Sequence, residues 1–140
     1  MNAMFQKFAE WFLRISLSTA FLSAVADRFG LWGPSGTRNV SWGNWQNFRV
    51  YSDKVNGFLP PKLQPILAWA ATVAEICLGV GLLLPVATRW IALGSGALLV
   101  IFAIAMTVTL GIKAPLNFSV FTAAAGAFLL AACKTQRQPK

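Results

Sequence analysis

Four stretches of this chain are almost continuously apolar, at about residues 4–26, 66–86, 90–111 and 114–133. Each is close to the roughly 20 helical residues needed to cross a hydrocarbon core about 30 Å thick. The segments "LPVATR" and "GIKAP" separate the last three runs, and each carries a proline and a cation. Links this short place successive helices side by side and antiparallel. The pattern predicts an all-α fold: a four-transmembrane-helix antiparallel bundle forming a single integral membrane domain over 1–140. Gly79, Gly81, Gly94, Gly96 and the stretch from Ala123 to Gly126 supply small surfaces for close helix approach.

Between the first two runs, residues 27–65 change to Gly, Pro, Asn and aromatic residues, as expected of an extramembrane connection. Within it Trp42, Trp45, Phe48 and Val55 recur near the spacing of one helical face. Ser41 is the expected N-cap and Asn56-Gly57 the expected stop. The loop therefore predicts a short amphipathic helix at the membrane surface, where Trp and Tyr favour the headgroup level. The same aromatic residues could also form a lid over a ligand pocket.

Composition supports a membrane protein. Hydrophobic residues make up 56% of the chain and charged residues 11%, outside the usual balance of soluble domains. The net charge of +8 comes from cations scattered between apolar runs, which argues against nucleic acid and for anionic headgroups as partners. The absence of histidine removes the commonest general base, and Cys77 and Cys133 lie in different segments without Cys-x-x-Cys spacing. No metal site and no intrinsic cofactor are expected. "LSAVAD" offers an Ala-x-Ala cleavage pattern, but Arg14 interrupts the uncharged core of a signal peptide, so the first run is read as a span. The cation count on the two sides is close to even, with Lys7, Arg89, Lys134, Arg137 and Lys140 beside the termini. Dilution of the opposite cations over a long loop favours cytoplasmic termini.

Glu75 is the one carboxylate inside the second run, near its middle. A charge at that depth costs a few kcal/mol unless it is paired or used. Arg14, inside the first run, is the expected partner at similar depth from the opposite side. Glu10 lies four residues from Arg14, so Lys7, Glu10, Arg14 and Ser18 form a polar stripe that Glu75 can join. Thr72 and Gly79 flank Glu75 on its own face. Two readings follow: an interhelical clamp of Glu10, Arg14 and Glu75, or a pocket for the polar head of an amphiphile such as a quinone.

The segments "WFLRISLSTAFLSAVADRFGLWG", "TVAEICLGVGLLLPVATRW" and "GIKAPLNFSVFTAAAGAFLLAA" resemble the DoxX-like family of small integral membrane proteins. The resemblance implies a four-helix protein of the bacterial inner membrane, of the type found as the membrane subunit of thiosulfate:quinone oxidoreductases and beside other redox proteins. It matches family landmarks at Arg14, Glu75, Arg89 and Lys113.

The leading expectation is an accessory or quinone-binding membrane component of an oxidoreductase system, not an independent enzyme. Its expected partners are membrane lipids, a quinone or another isoprenoid, and redox proteins or further copies of the chain. The competing classes are a small-solute transporter or channel subunit, a membrane enzyme using Glu75 and Arg14, and a structural protein with no ligand.

Overall fold

A computed structural model describes residues 2–135, so Arg137 and Lys140 of the terminal cation count lie outside the described residues. The chain is all-α, with helices α1 (Ala3–Arg28), α2 (Trp45–Val55), α3 (Gln64–Leu83), α4 (Thr88–Leu110), α5 (Lys113–Asn117) and α6 (Val120–Thr135). Helices α1, α3 and α4 are long and apolar enough to cross a membrane, and α6 contributes a shorter apolar stretch, Val120–Cys133. These four pack as an antiparallel bundle. Its core joins Leu17 and Phe21 of α1, Leu82 of α3, Ala92 of α4, and Ala127, Leu130 and Ala131 of α6.

Backbone chemistry places the boundaries. Asn2 caps α1, its side chain accepting the amide of Met4. Pro65 stands in the first turn of α3, where the missing amide hydrogen costs nothing. The last run does not begin at 114 as its hydropathy suggests. Residues 113–117 form the separate short helix α5, Ser119 adopts a left-handed backbone (φ 53°), and α6 starts only at Val120. A left-handed residue cannot continue a right-handed helix, so the chain turns there despite unbroken hydrophobicity.

Small residues set the helix spacing, most tightly at Gly96. A Cβ there would lie 2.6 Å from the Phe128 ring, so any larger residue would have to displace that ring from the α4–α6 contact. At one end of the bundle α2 lies across the helices. Val55 packs with Ala105 and Met106 of α4, and Tyr51, Leu110, Ala114 and Val120 close around them. The predicted loop helix is present and ends at Asn56 as expected, but its N-cap is Asn44, whose side chain accepts the Asn47 amide. Ser41 is held elsewhere, by Asp27.

Candidate functional site

The antiparallel register of α1 on α3 decides which polar groups meet. The Ser18 hydroxyl donates to the Gly79 carbonyl at 2.7 Å. One turn of α1 earlier, Arg14 donates from Nε to the Leu82 carbonyl (2.7 Å) and from Nη2 to the Leu84 carbonyl (2.5 Å). Arg14 thus meets the C-terminal end of α3, where backbone carbonyls lack intrahelical partners and the helix dipole favours a cation. Its Nη1 lies 3.6 Å from Glu10, and the Trp11 ring centroid lies 4.2 Å from its Cζ.

Glu75 falls roughly two turns further along this register, out of reach of Arg14. The expected Arg14/Glu75 pair is therefore replaced by a different one. Depth counted from each helix end assumed flush ends, and the observed register instead carries Glu75 towards the last turn of α1. There Arg28 meets it: Nη1 of Arg28 pairs with Oε2 of Glu75 and also donates to the Thr72 hydroxyl at 2.7 Å. Arg28 and Glu75 are each only 4% exposed. Of the expected polar stripe, Arg14 and Ser18 are buried and Glu10 is half-buried, whereas Lys7 is exposed.

Aromatic side chains from the loop and α2 cover this pair. The guanidinium carbon of Arg28 lies 4.0 Å from the Phe48 ring centroid and 5.6 Å from that of Trp42, and the two rings meet edge to face. Stacking a weakly hydrated guanidinium on aromatic faces offsets part of its desolvation. Trp45 turns to the rim and packs on Trp69 of α3 (centroids 4.1 Å apart) and on Phe29. Of the three residues expected as lid or anchor, Trp42 and Phe48 thus cover a buried charge, while Trp45 joins a partly exposed aromatic belt.

Asp27, which the sequence reading passed over, fixes the roof. Its carboxylate accepts the backbone amides of Ser41 (2.8 Å), Trp42 (3.2 Å) and Gly43 (2.9 Å). Gly43 has φ 69°, and a Cβ there would collide with the Ser35 amide, so the turn that launches α2 accepts no larger residue. The signal in the sequence was the dipeptide Asp27-Arg28 at the end of an apolar run, two charges where one polar boundary residue would have sufficed.

Chemically, the arrangement is a desolvated carboxylate paired with one guanidinium, which the Thr72 hydroxyl also holds, under an aromatic roof. Arg28 Nε is buried without a hydrogen-bond partner among the described residues. No group of three His, Cys, Asp or Glu side chains is placed to hold a metal ion among the described residues, and Cys77 and Cys133 are free thiols exposed on separate helices.

Neither the curated proteins nor the solved structures contain a match to this chain. A family model described as methylamine utilisation protein MauE matches residues 6–117. That family is related to the DoxX-like proteins, so the resemblance seen in the sequence narrows to one branch. The matched region runs from α1 to the end of α5 and contains Arg14, Asp27, Arg28, Glu75 and all of α2; the chain is an integral membrane protein of the MauE family.

Proposed function

We propose that this chain is a non-catalytic membrane component of a bacterial methylamine-oxidising system, acting in the maturation of its dehydrogenase and not in amine oxidation itself. One observation carries the reading: the charges buried in the family-matched region are engaged in holding helices together. Arg14 closes the end of α3, and Arg28, Glu75 and Thr72 join α1 to α3 beneath α2. A protein built this way presents a fixed membrane-surface structure, suited to receiving a client. With both termini cytoplasmic, α2 and its loop face the opposite aqueous compartment of the inner membrane, and the client meets the protein there.

The test is complementation. A methylamine-utilising bacterium lacking its own MauE-family gene is supplied with this chain, then assayed for growth on methylamine and for active dehydrogenase. Restored growth is expected, as is its loss when Asp27→Ala detaches the roof while the protein still accumulates in the membrane. Full dehydrogenase activity in the uncomplemented strain would refute the reading.

A shallow groove on the outer side of α1 favours a second reading, an isoprenoid or quinone ligand. It encloses about 730 Å³, and Ser16, Thr19, Ser23 and Trp32 place polar groups beside an apolar wall that includes Leu83. Mass spectrometry of organic extracts from the gently solubilised protein tests it. A near-stoichiometric quinone lost in Thr19→Leu supports the groove, whereas trace lipid equal in both proteins excludes it.

A further inference from the structure

At the end of the bundle that carries α2 and α5, the connecting segments bear Arg38, Arg49, Lys54, Lys62 and Lys113 against a single acid, Asp53. Asp53 is committed to Arg49 at 3.0 Å, one helical turn away on α2. The Asp27 carboxylate is likewise committed, to three backbone amides. This face therefore presents cations without free carboxylates to neutralise them.

A groove of about 440 Å³ opens on the same face between the Ser35 to Ser41 loop and α2, lined by Asn47, Val50, Tyr51 and Lys54 together with Ser35, Ser41 and Trp42. Helical geometry separates this side from the bundle. Phe48, Ser52 and Val55 form the buried face of α2; Asn47 and Lys54 point well away from it, and Tyr51 lies at its edge, where its ring also packs on the Val55, Ala105 and Met106 cluster. The Ser35 and Tyr51 hydroxyls and the Lys54 ammonium can donate, the Ser41 hydroxyl being already bonded to Asp27, and no carboxylate lines the groove. Burial raises the Tyr51 phenol above its ordinary pKa, so it stays a proton donor. The walls are preformed, because Asp27 fixes residues 41–43 and the turn at Gly43 packs directly against Ser35.

We propose that this groove is the docking site for an acidic segment of a soluble protein partner, one carboxylate seating between Lys54 and the hydroxyls while the surrounding cations steer its approach. On α2, Asn47 and Lys54 lie on the side opposite Trp45, whose cluster with Phe29 and Trp69 suits the headgroup level, which favours an aqueous partner for the groove over bilayer headgroups. The inference rests on the accessory reading for the existence of a client, and on the groove's own chemistry for the client's character.

The experiment is fluorescence anisotropy of a short labelled polyglutamate peptide titrated with the full chain in nanodiscs of zwitterionic lipid. Binding should weaken as salt rises, and should fall by about tenfold in Lys54→Glu and severalfold in Tyr51→Phe. Lys7→Glu, the same charge change near the other end of the bundle, should leave binding unaltered. Equal losses in Lys7→Glu and Lys54→Glu would overturn the site, because binding would then follow net charge alone. So would displacement by millimolar inorganic phosphate, which would make the groove a small-anion site, or binding abolished by anionic lipid in the disc, which would make it a headgroup site. Because the readout is binding, an absent interaction with intact methylamine complementation would overturn the docking site and leave the accessory reading standing.

Discussion

Asp27 and Arg28 are consecutive at the end of α1 and act in opposite directions. The carboxylate turns outward to the amides of residues 41–43, and the guanidinium turns inward to Thr72 and Glu75. Successive residues on a helix point about 100° apart, so one dipeptide can serve two surfaces. Here it fixes α2 over the bundle from both flanks: Asp27 sets where the helix starts, and Arg28 supplies the cation on which Trp42 and Phe48 rest.

Removing the outer half of this arrangement should loosen the roof without unfolding the bundle. Asp27→Ala leaves three amides without their charged acceptor, a local cost of about 2 kcal/mol or more. Hydrogen exchange should accelerate across residues 41–48 and stay slow in α4. Unchanged protection in the loop would mean that Asp27 is dispensable there.

Removing the inner half is more severe. In Glu75→Gln a buried guanidinium loses its countercharge, a change that costs roughly 3–5 kcal/mol when one partner of a buried pair is deleted. The melting temperature in detergent should fall clearly. The double replacement Arg28→Met with Glu75→Leu should recover most of it, since an apolar pair carries no desolvation penalty. A double variant no more stable than Glu75→Gln would contradict this account.

Arg14 makes a different prediction, because its main partners are backbone carbonyls at the end of α3. Arg14→Ala should destabilise by about 2–3 kcal/mol, the scale for hydrogen bonds to a charged group. The exchange change should concentrate at residues 80–86 and spare the region around Glu75. Lysine offers a single charged head in place of the planar fork, so Arg14→Lys should rescue only in part. Equal perturbation at Glu75 and at Leu84 would argue for a single coupled cluster.

At Gly96, Gly96→Val inserts a side chain against the Phe128 ring and should cost on the order of 1–3 kcal/mol through overpacking. Phe128→Ala in the same chain should relieve the clash. Thermal unfolding of the single and double variants reads the coupling, and strictly additive losses would show that the two positions do not press on each other.

Hydropathy made the spans and the loop helix legible, because bilayer thickness and helical period both leave direct marks on composition. Glu75 with its neighbours Thr72 and Gly79 stood out for the same reason: polar and small groups interrupting an apolar face. What one strand of text could not supply was register. The sliding position of α1 on α3 is set by packing at Ser18 against Gly79 and by Arg14 at the end of α3. That offset transfers Glu75 from Arg14 to Arg28. The break before α6 was hidden for another reason, since Phe118 and Ser119 are compatible with a span by hydropathy and the left-handed backbone at Ser119 leaves no compositional trace.

The grip of Arg14 on α3 also constrains how the protein is made. Its two backbone acceptors lie 68 and 70 residues later in the chain, so α1 leaves the ribosome before the carbonyls that complete its hydrogen bonding have been synthesised. Until then the charged partner of Arg14 is Glu10, one turn earlier on the same helix. The hydrogen bonding of Arg14 is therefore complete only once α3 has packed beside α1. The pairing of α1 with α3 thus also closes the ends of the segment that carries α2.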